Sequence, residues 1–355
     1  MNIQKHIIGK LNKCYSIAPL YGEYGCRFLV AAEKNDPCYL FSEDGSKLET
    51  VWSEPGGVMT MAQVPGKENQ FLATQKFYSP NDSAEAKIVV ATRRAENDWQ
   101  VRTLVNAPFV HRFGILSRNG ANYLLICCLK SGHSCKDDWS QPGRTFAALL
   151  PDDLDQLGEG SPLALTLLKD NMCHNHGYSM YCDNGIETGI VSCDSGVYQF
   201  IPPASVGGSW QIRQLYDQPV SDAVLCDFDQ DGCPELGCIA PFHGDQLYIC
   251  HQTEDGGYKK VWQFPEHAEM LHATWACSIQ GKPAWIVGHR KGKRNLMLVT
   301  YEDGDYRTTL IDQDCGSANA FHFVNRSGQD IILSANRETD EIAMYQVDGK
   351  DIKNE

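Results

Sequence analysis

The sequence predicts an all-β chain folded as a ring of seven four-stranded blades, on three observations. Short apolar or alternating runs such as RFLVAA, KIVVATR, NYLLICC, AWIVGHR and DIILSAN recur between Gly, Asn and Asp turns, and long helical periodicities are scarce. One unit is written several times: an outer strand, a polar break, an inner strand, a glycine turn, then a strongly apolar strand. The turn glycines Gly120, Gly185, Gly232, Gly281 and Gly328 stand 65, 47, 49 and 47 residues apart, close to the roughly 40–50 residues of a propeller blade.

In chain order, the first two copies are degenerate, LNKCYSIAPLYGEYGCRFLVAA and VWSEPGGVMTMAQVPGKENQFLATQ. Their loose alignment leaves six or eight blades open beside seven. The third copy, from Arg102, is RTLVNAPFVHRFGILSRNGANYLLIC; the fourth starts at Thr166, the fifth at Gln214, the sixth at Lys260 and the seventh at Thr309. The one long interval falls after the third copy, where KSGHSCKDDWSQPGR (residues 130–144) interrupts a hairpin. Such an insertion usually lies on a binding face. Draped over the channel it is a lid; folded outward it is a solvated charge cluster. The seventh copy stops after EIAMYQVDG without a fourth strand, while the opening QKHIIGKL reads like the outer strands RTTLIDQ and QIRQLYD. Residues 3–10 are therefore expected beside residues 341–347, closing the ring and removing an exposed edge. The whole of 1–355 reads as one propeller domain with an insertion at 130–144 in the third blade.

Composition narrows the function. With 42% hydrophobic and 21% charged residues, a disordered or collagen-like chain is excluded. A net charge of −14 repels a phosphate backbone, so no nucleic-acid partner is expected. The longest apolar run, YLLICCL, is far short of the ~20 residues that span a bilayer, so no membrane partner is expected either. Fifteen cysteines without a CxxC pair or an apolar leader suggest a cytoplasmic protein with reduced thiols acting mostly as small core hydrophobes.

Aligned on the turn glycine, the residue nine positions earlier reads His111, His176, His272 and Asn319 in the third, fourth, sixth and seventh copies. The fifth turn is one residue longer and yields Asp222; the first copy offers Ser16, and the second is ambiguous around Gly57 and Val58. Equivalent positions on strands lining one channel place His111, His176, Asp222 and His272 together. Neutral imidazoles with a carboxylate suit Zn²⁺, Mn²⁺ or Fe²⁺, and structural histidines in a polar channel are the competing reading. His174, two residues before His176 on the same strand face, is a candidate fifth ligand or general acid or base, with an ordinary supporting or surface role as the competing reading, and His133 in the insertion is a second candidate acid or base. Lys136 and Arg112 are candidate catalytic cations, with Arg290 a further one, because a reacting ketone or carboxylate grows more anionic. His322 falls on the opposite strand face and reads as structural.

In DFDQDGCPEL, Asp227, Asp229, Asp231 and Glu235 take positions 1, 3, 5 and 9 around Gly232, as the oxygen ligands of a Ca²⁺ loop do. The glutamate usual at position 12 is absent, and a structural Ca²⁺ stands against a metal-free acidic turn. This stretch, SDAVLCDFDQDGCPELGCIA, resembles the FG-GAP or VCBS type of repeat. The channel histidines resemble those in the propeller domain of the aldos-2-ulose dehydratases. That resemblance implies a metal-dependent lyase acting on keto-sugars such as 1,5-anhydrofructose, without the further non-propeller portion those enzymes carry.

Walker, GxGxxG, GxSxG and HExxH signatures are absent, which argues against phosphoryl transfer, Rossmann hydride transfer, serine hydrolysis and zincin chemistry. The expectation is a lyase removing water or another β-leaving group from a small keto-sugar or oxidised glycoside. The alternative is a non-catalytic propeller that binds carbohydrate or protein.

Overall fold

The computed structural model describes residues 1–23 and 25–348; Tyr24 and residues 349–355, the end of the expected domain, lie outside the described residues. The chain is an all-β seven-bladed propeller built of seven four-stranded antiparallel sheets. Blades 1 to 6 occupy residues 14–52, 61–106, 110–172, 177–216, 222–263 and 269–312 in sequence order from the innermost strand outwards. Blade 7 takes its inner three strands from Ser317–Val324, Asp330–Asn336 and Glu341–Asp348, and its outer strand from Asn2–Lys10. The register of that closure runs from Asn2 opposite Asp348 to Lys10 opposite Glu341.

The hairpins form where the sequence places glycine. Gly120, Gly185, Gly232, Gly281 and Gly328 have φ between +74° and +92°, a region other residues enter at a steric cost. The second strands are apolar on both faces because each is covered by neighbouring blades, as in Leu124–Leu129, which is buried throughout. Innermost strands pack against those of the adjacent blades all the way round, blade 7 against blade 1 included. At that joint Phe28 and Phe41 of blade 1 meet Phe321, Phe323, Leu333 and Ile342 of blade 7, with Ile8 of the terminal strand packed on top. All cysteines are free thiols. Burial pushes groups such as Cys14 and Cys128 up to about 12, as inert core residues require.

The third-blade insertion is shorter than its sequence limits. Lys130 still pairs with Pro142, and Cys128 with Arg144, so the strands continue inward and only 131–141 form the loop. No helix among the described residues is long and apolar enough to cross a membrane.

Candidate functional site

The site begins with a repeated backbone irregularity. At the start of the innermost strand, pairing slips by one residue between Cys14 and Ser16, Val110 and Arg112, Leu271 and Ala273, and Ser317 and Asn319. A bulge leaves one residue unpaired and re-aims its side chain. The residues so released are Tyr15, His111, His272 and Ala318. Tyr15, rather than the expected Ser16, therefore represents blade 1 in the channel, and Ala318 takes the place expected for Asn319, whose side-chain amide instead donates to the Tyr15 carbonyl (2.7 Å). His176 directly precedes the innermost strand of blade 4, and Asp222 opens that of blade 5. In blade 2, where the sequence is ambiguous, the Thr60 hydroxyl donates to the His111 carbonyl (3.1 Å).

These blades bring His111, His176 and His272 together. Ring centroids lie 4.3 Å apart for His111 and His176, and 5.3 Å for His176 and His272. His243, which inner-strand alignment misses, joins them with Nε2 3.2 Å from His176 Nε2. Nitrogens of His176, His243 and His272 all fall within 4.8 Å of one another. Two imidazole nitrogens on one tetrahedral Zn²⁺ would be separated by about 3.3 Å, given Zn–N bonds of about 2.0–2.1 Å. The spacing fits a shared divalent ion. His243 sits in the loop between the second and third strands of blade 5, at 241–245, and therefore has no counterpart in the inner-strand repeat. That loop emerges at the same end of the blade as the third-blade insertion, and this equivalence is the signal that could have found it.

The opposite nitrogens are anchored. His272 Nδ1 lies 2.8 Å from the Ala318 carbonyl, His111 Nδ1 3.3 Å from the His176 carbonyl, and His176 Nδ1 3.0 Å from Asp222 Oδ2. Each acceptor assigns the proton to Nδ1 and turns the Nε2 lone pair inward, the arrangement of a metal-binding imidazole. Asp222 is thus placed behind His176 and outside the ligand trio, correcting the sequence expectation of a direct carboxylate ligand. His111 is also set apart, its Nε2 facing the Tyr15 hydroxyl at 3.5 Å, while that hydroxyl is 2.9 Å from His272 Nε2. Burial, reinforced by neighbouring imidazoles and by Arg112 and Arg290, holds His111, His243 and His272 well below the usual imidazole pKa. They are neutral and able to ligate. Burial opposes ionisation of Asp222, yet its interactions with His176, Arg112 and the Ser221 hydroxyl outweigh that and keep it a carboxylate.

The insertion folds inward at the channel mouth. Buried Lys130 donates to the Asp138 carbonyl (2.9 Å) and lies 4.2 Å from the Trp139 ring centre. Asn81 of blade 2 pins Asp137 through paired bonds of 2.9 and 3.0 Å. Trp139 then covers His174 at 4.2 Å, and His174 stacks on Phe242, itself stacked on His243 at 4.0 Å. His174 Nδ1 is 2.7 Å from Asp194 Oδ2, which leaves its Nε2 for proton exchange. His133 instead packs edge-on to Phe109, and Lys136 is exposed on the loop. Arg290 is held by Glu338 at 2.8 Å, whereas the Arg112 guanidinium donates to the Met59 carbonyl at 2.7 Å. His322 is bonded to Asp330 at 2.8 Å, the structural role expected of it. A shallow concavity of about 1050 Å³ between the outer strands of blades 4 and 5 holds none of these histidines. The clustered side chains locate chemistry better than its size does.

At the other end of blade 5, carboxylates of Asp227, Asp229, Asp231 and Glu235 lie within 4.8 Å of one another. Backbone amides in the turn already bond several of them, with Gly232 donating to Asp227 at 3.1 Å and Cys233 to Asp231 at 2.7 Å. Burial, with the charges of Asp229 and Asp227, pushes Glu235 up to about 7. This hairpin joins the first two strands and therefore lies at the opposite end from the histidines.

No protein-family profile and no curated protein sequence matches the chain. Among solved structures it is similar to the Dos1 propeller, with a TM-score of 0.56 and 7% sequence identity, covering 95% of this chain and 79% of that one. The likeness is one of fold.

Proposed function

We propose that this propeller is a metal-dependent lyase acting on a small oxidised sugar at the mouth of its channel. The observation that carries the reading is the convergence of His176, His243 and His272, with His176 and His272 turned by Nδ1 partners. These three residues would hold Zn²⁺, Mn²⁺ or Fe²⁺, which when bound polarises a carbonyl and acidifies the adjacent C–H. His174, oriented by Asp194, takes the α-proton at Nε2. The Tyr15 hydroxyl, supported by His111, protonates the departing oxygen, so that a C–H and a C–O bond break, a C=C bond forms and water leaves. Arg112 stabilises the negative charge that develops on the substrate. Trp139 and Phe242 shield the mouth and exclude bulk water. The resemblance of the channel histidines to the aldos-2-ulose dehydratases supports the choice of a keto-sugar. His133 and Lys136 have no part in this scheme.

The test is to load the full chain with metal and offer 1,5-anhydrofructose or a 3-keto-glycoside. An α,β-unsaturated ketone should appear by its ultraviolet absorption, and the α-hydrogen should exchange with deuterated solvent. Chelation or His243→Ala should abolish both. Stoichiometric metal without turnover or exchange would overturn the lyase reading; failure to retain metal would favour a non-catalytic carbohydrate- or protein-binding propeller.

A further inference from the structure

Two arginines are buried in the propeller, each 8% exposed, and they are treated differently. Arg290 lies against Glu338, which also takes Arg337, and Arg337 in turn pairs with Glu33, so two cations and two carboxylates neutralise one another. Arg112 makes no such contact: among the described residues no carboxylate comes within the 4.0 Å of an ion pair, and the buried Asp222 carboxylate, which feels its charge, is bonded instead to His176 and Ser221. Its protein contacts are the Met59 carbonyl and the Tyr15 ring, whose centre is 5.8 Å from the guanidinium carbon. A guanidinium cannot shed its proton to escape burial, so a buried one calls for a counter-charge. It follows His111 directly in sequence and stands beside Tyr15, whose hydroxyl touches His272. Its charge also acts on His111, His272 and Asp222, so the guanidinium stands beside the imidazole cluster.

From this we infer that Arg112 is the carboxylate receptor of the site, and that the natural ligand is a sugar acid whose carboxylate pairs with Arg112 while its hydroxyl or carbonyl oxygens reach the imidazoles. One planar fork carrying a single positive charge matches one carboxylate in charge and shape. A phosphate dianion would keep an unmatched charge, since Arg290 and Arg337 are already engaged. The assignment deepens the proposed reading by narrowing its substrate class to an acid, and its failure is distinguishable from failure of that reading.

The test is calorimetric titration of the metal-loaded full chain with D-glucuronate, its uncharged methyl ester and glucose 6-phosphate. Glucuronate should bind about tenfold to hundredfold more tightly than the ester, the range for a charge-assisted hydrogen bond. Arg112→Met should erase that preference, so that acid and ester bind alike, and Arg112→Lys should restore part of it. Equal binding of acid and ester by the native protein overturns the assignment without need of any variant. So does tighter binding of the phosphate, or a preference that survives Arg112→Met. Selective binding of glucuronate, with no elimination from the keto-sugars, supports the assignment while removing the lyase reading. Elimination from an uncharged keto-sugar, with acid and ester bound alike, does the reverse.

Discussion

Removing residues 1–10 takes away the outer strand of blade 7 and tests the closure of the ring. That strand makes eight register pairs with Glu341–Asp348. A backbone hydrogen bond is worth about 1 kcal/mol net, and ordering a residue costs about 1–2 kcal/mol. The ladder therefore contributes little by itself, and the side chains decide the sign. Ile3 and Ile8 are half-buried on two separate clusters, for about 1–1.5 kcal/mol each, half the value of a fully buried side chain. Lys5 reaches Asp312 at 2.7 Å and Glu341 at 3.2 Å from a partly exposed position, adding at most about 1 kcal/mol. The expected loss is about 3–4 kcal/mol, a substantial share of ordinary domain stability. Unfolding entropy near 2.1 cal/mol/K per residue gives about 0.75 kcal/mol/K for 355 residues, hence a fall in Tm of about 4–5 °C. The bared edge of Glu341–Asp348 should also recruit other chains. Scanning calorimetry measures the first effect and light scattering the second. An Ile3→Ser, Ile8→Ser double variant, which keeps the strand backbone, should melt earlier yet remain monodisperse. A truncated chain that melts with the intact one and does not aggregate would refute the closure argument.

Three further outcomes are expected. Asp222→Asn keeps an acceptor for His176 Nδ1 but removes the charge; metal affinity measured by calorimetry should fall about 10–100-fold, and unchanged affinity would mean that Asp222 does not orient the ring. His289 and His322 are both held below 6.5 by burial, opposed by the Lys291 carbonyl and by Asp330 respectively. Because the folded pKa is the lower one, the unfolded chain binds more protons below 6.5, so their contribution is intact above that value and lost as pH falls. The urea midpoint should therefore be lower at about pH 5.5 than at about pH 7.5, with the difference reduced in a His289→Gln, His322→Gln variant. Ca²⁺ should raise Tm through Asp227, Asp229, Asp231 and Glu235. Asp229→Asn with Glu235→Gln should remove the shift, and a native melt indifferent to both Ca²⁺ and chelator would leave the loop an ordinary acidic turn.

The blades and their closure were legible in the sequence because strand alternation, turn glycines and the spare N-terminal strand are local features. Each is written within a few tens of residues, and a ring admits few ways of joining them. The shared offset from the turn glycine located His111, His176, Asp222 and His272 for the same reason: equivalent strand positions line one channel. What the offset could not convey was how the turns differ: Gly25 already pairs with Gly22, one residue past the turn position that Gly120 and Gly281 hold, and the blade 7 turn spans 325–329, so the residue released is Tyr15 in place of Ser16 and Ala318 in place of Asn319. Nor could it reveal His243, whose loop lies outside the inner-strand repeat and meets His176 only when blades 4 and 5 are packed side by side. Asp222 was found, but whether a carboxylate faces a metal or the back of an imidazole is settled by ring rotation, and that by the acceptors a neighbouring blade presents. Arg112 could be named from the chain, but that it stands buried with no carboxylate in ion-pair contact is decided by the burial and neighbours of its guanidinium, which exist only once all seven blades are in place.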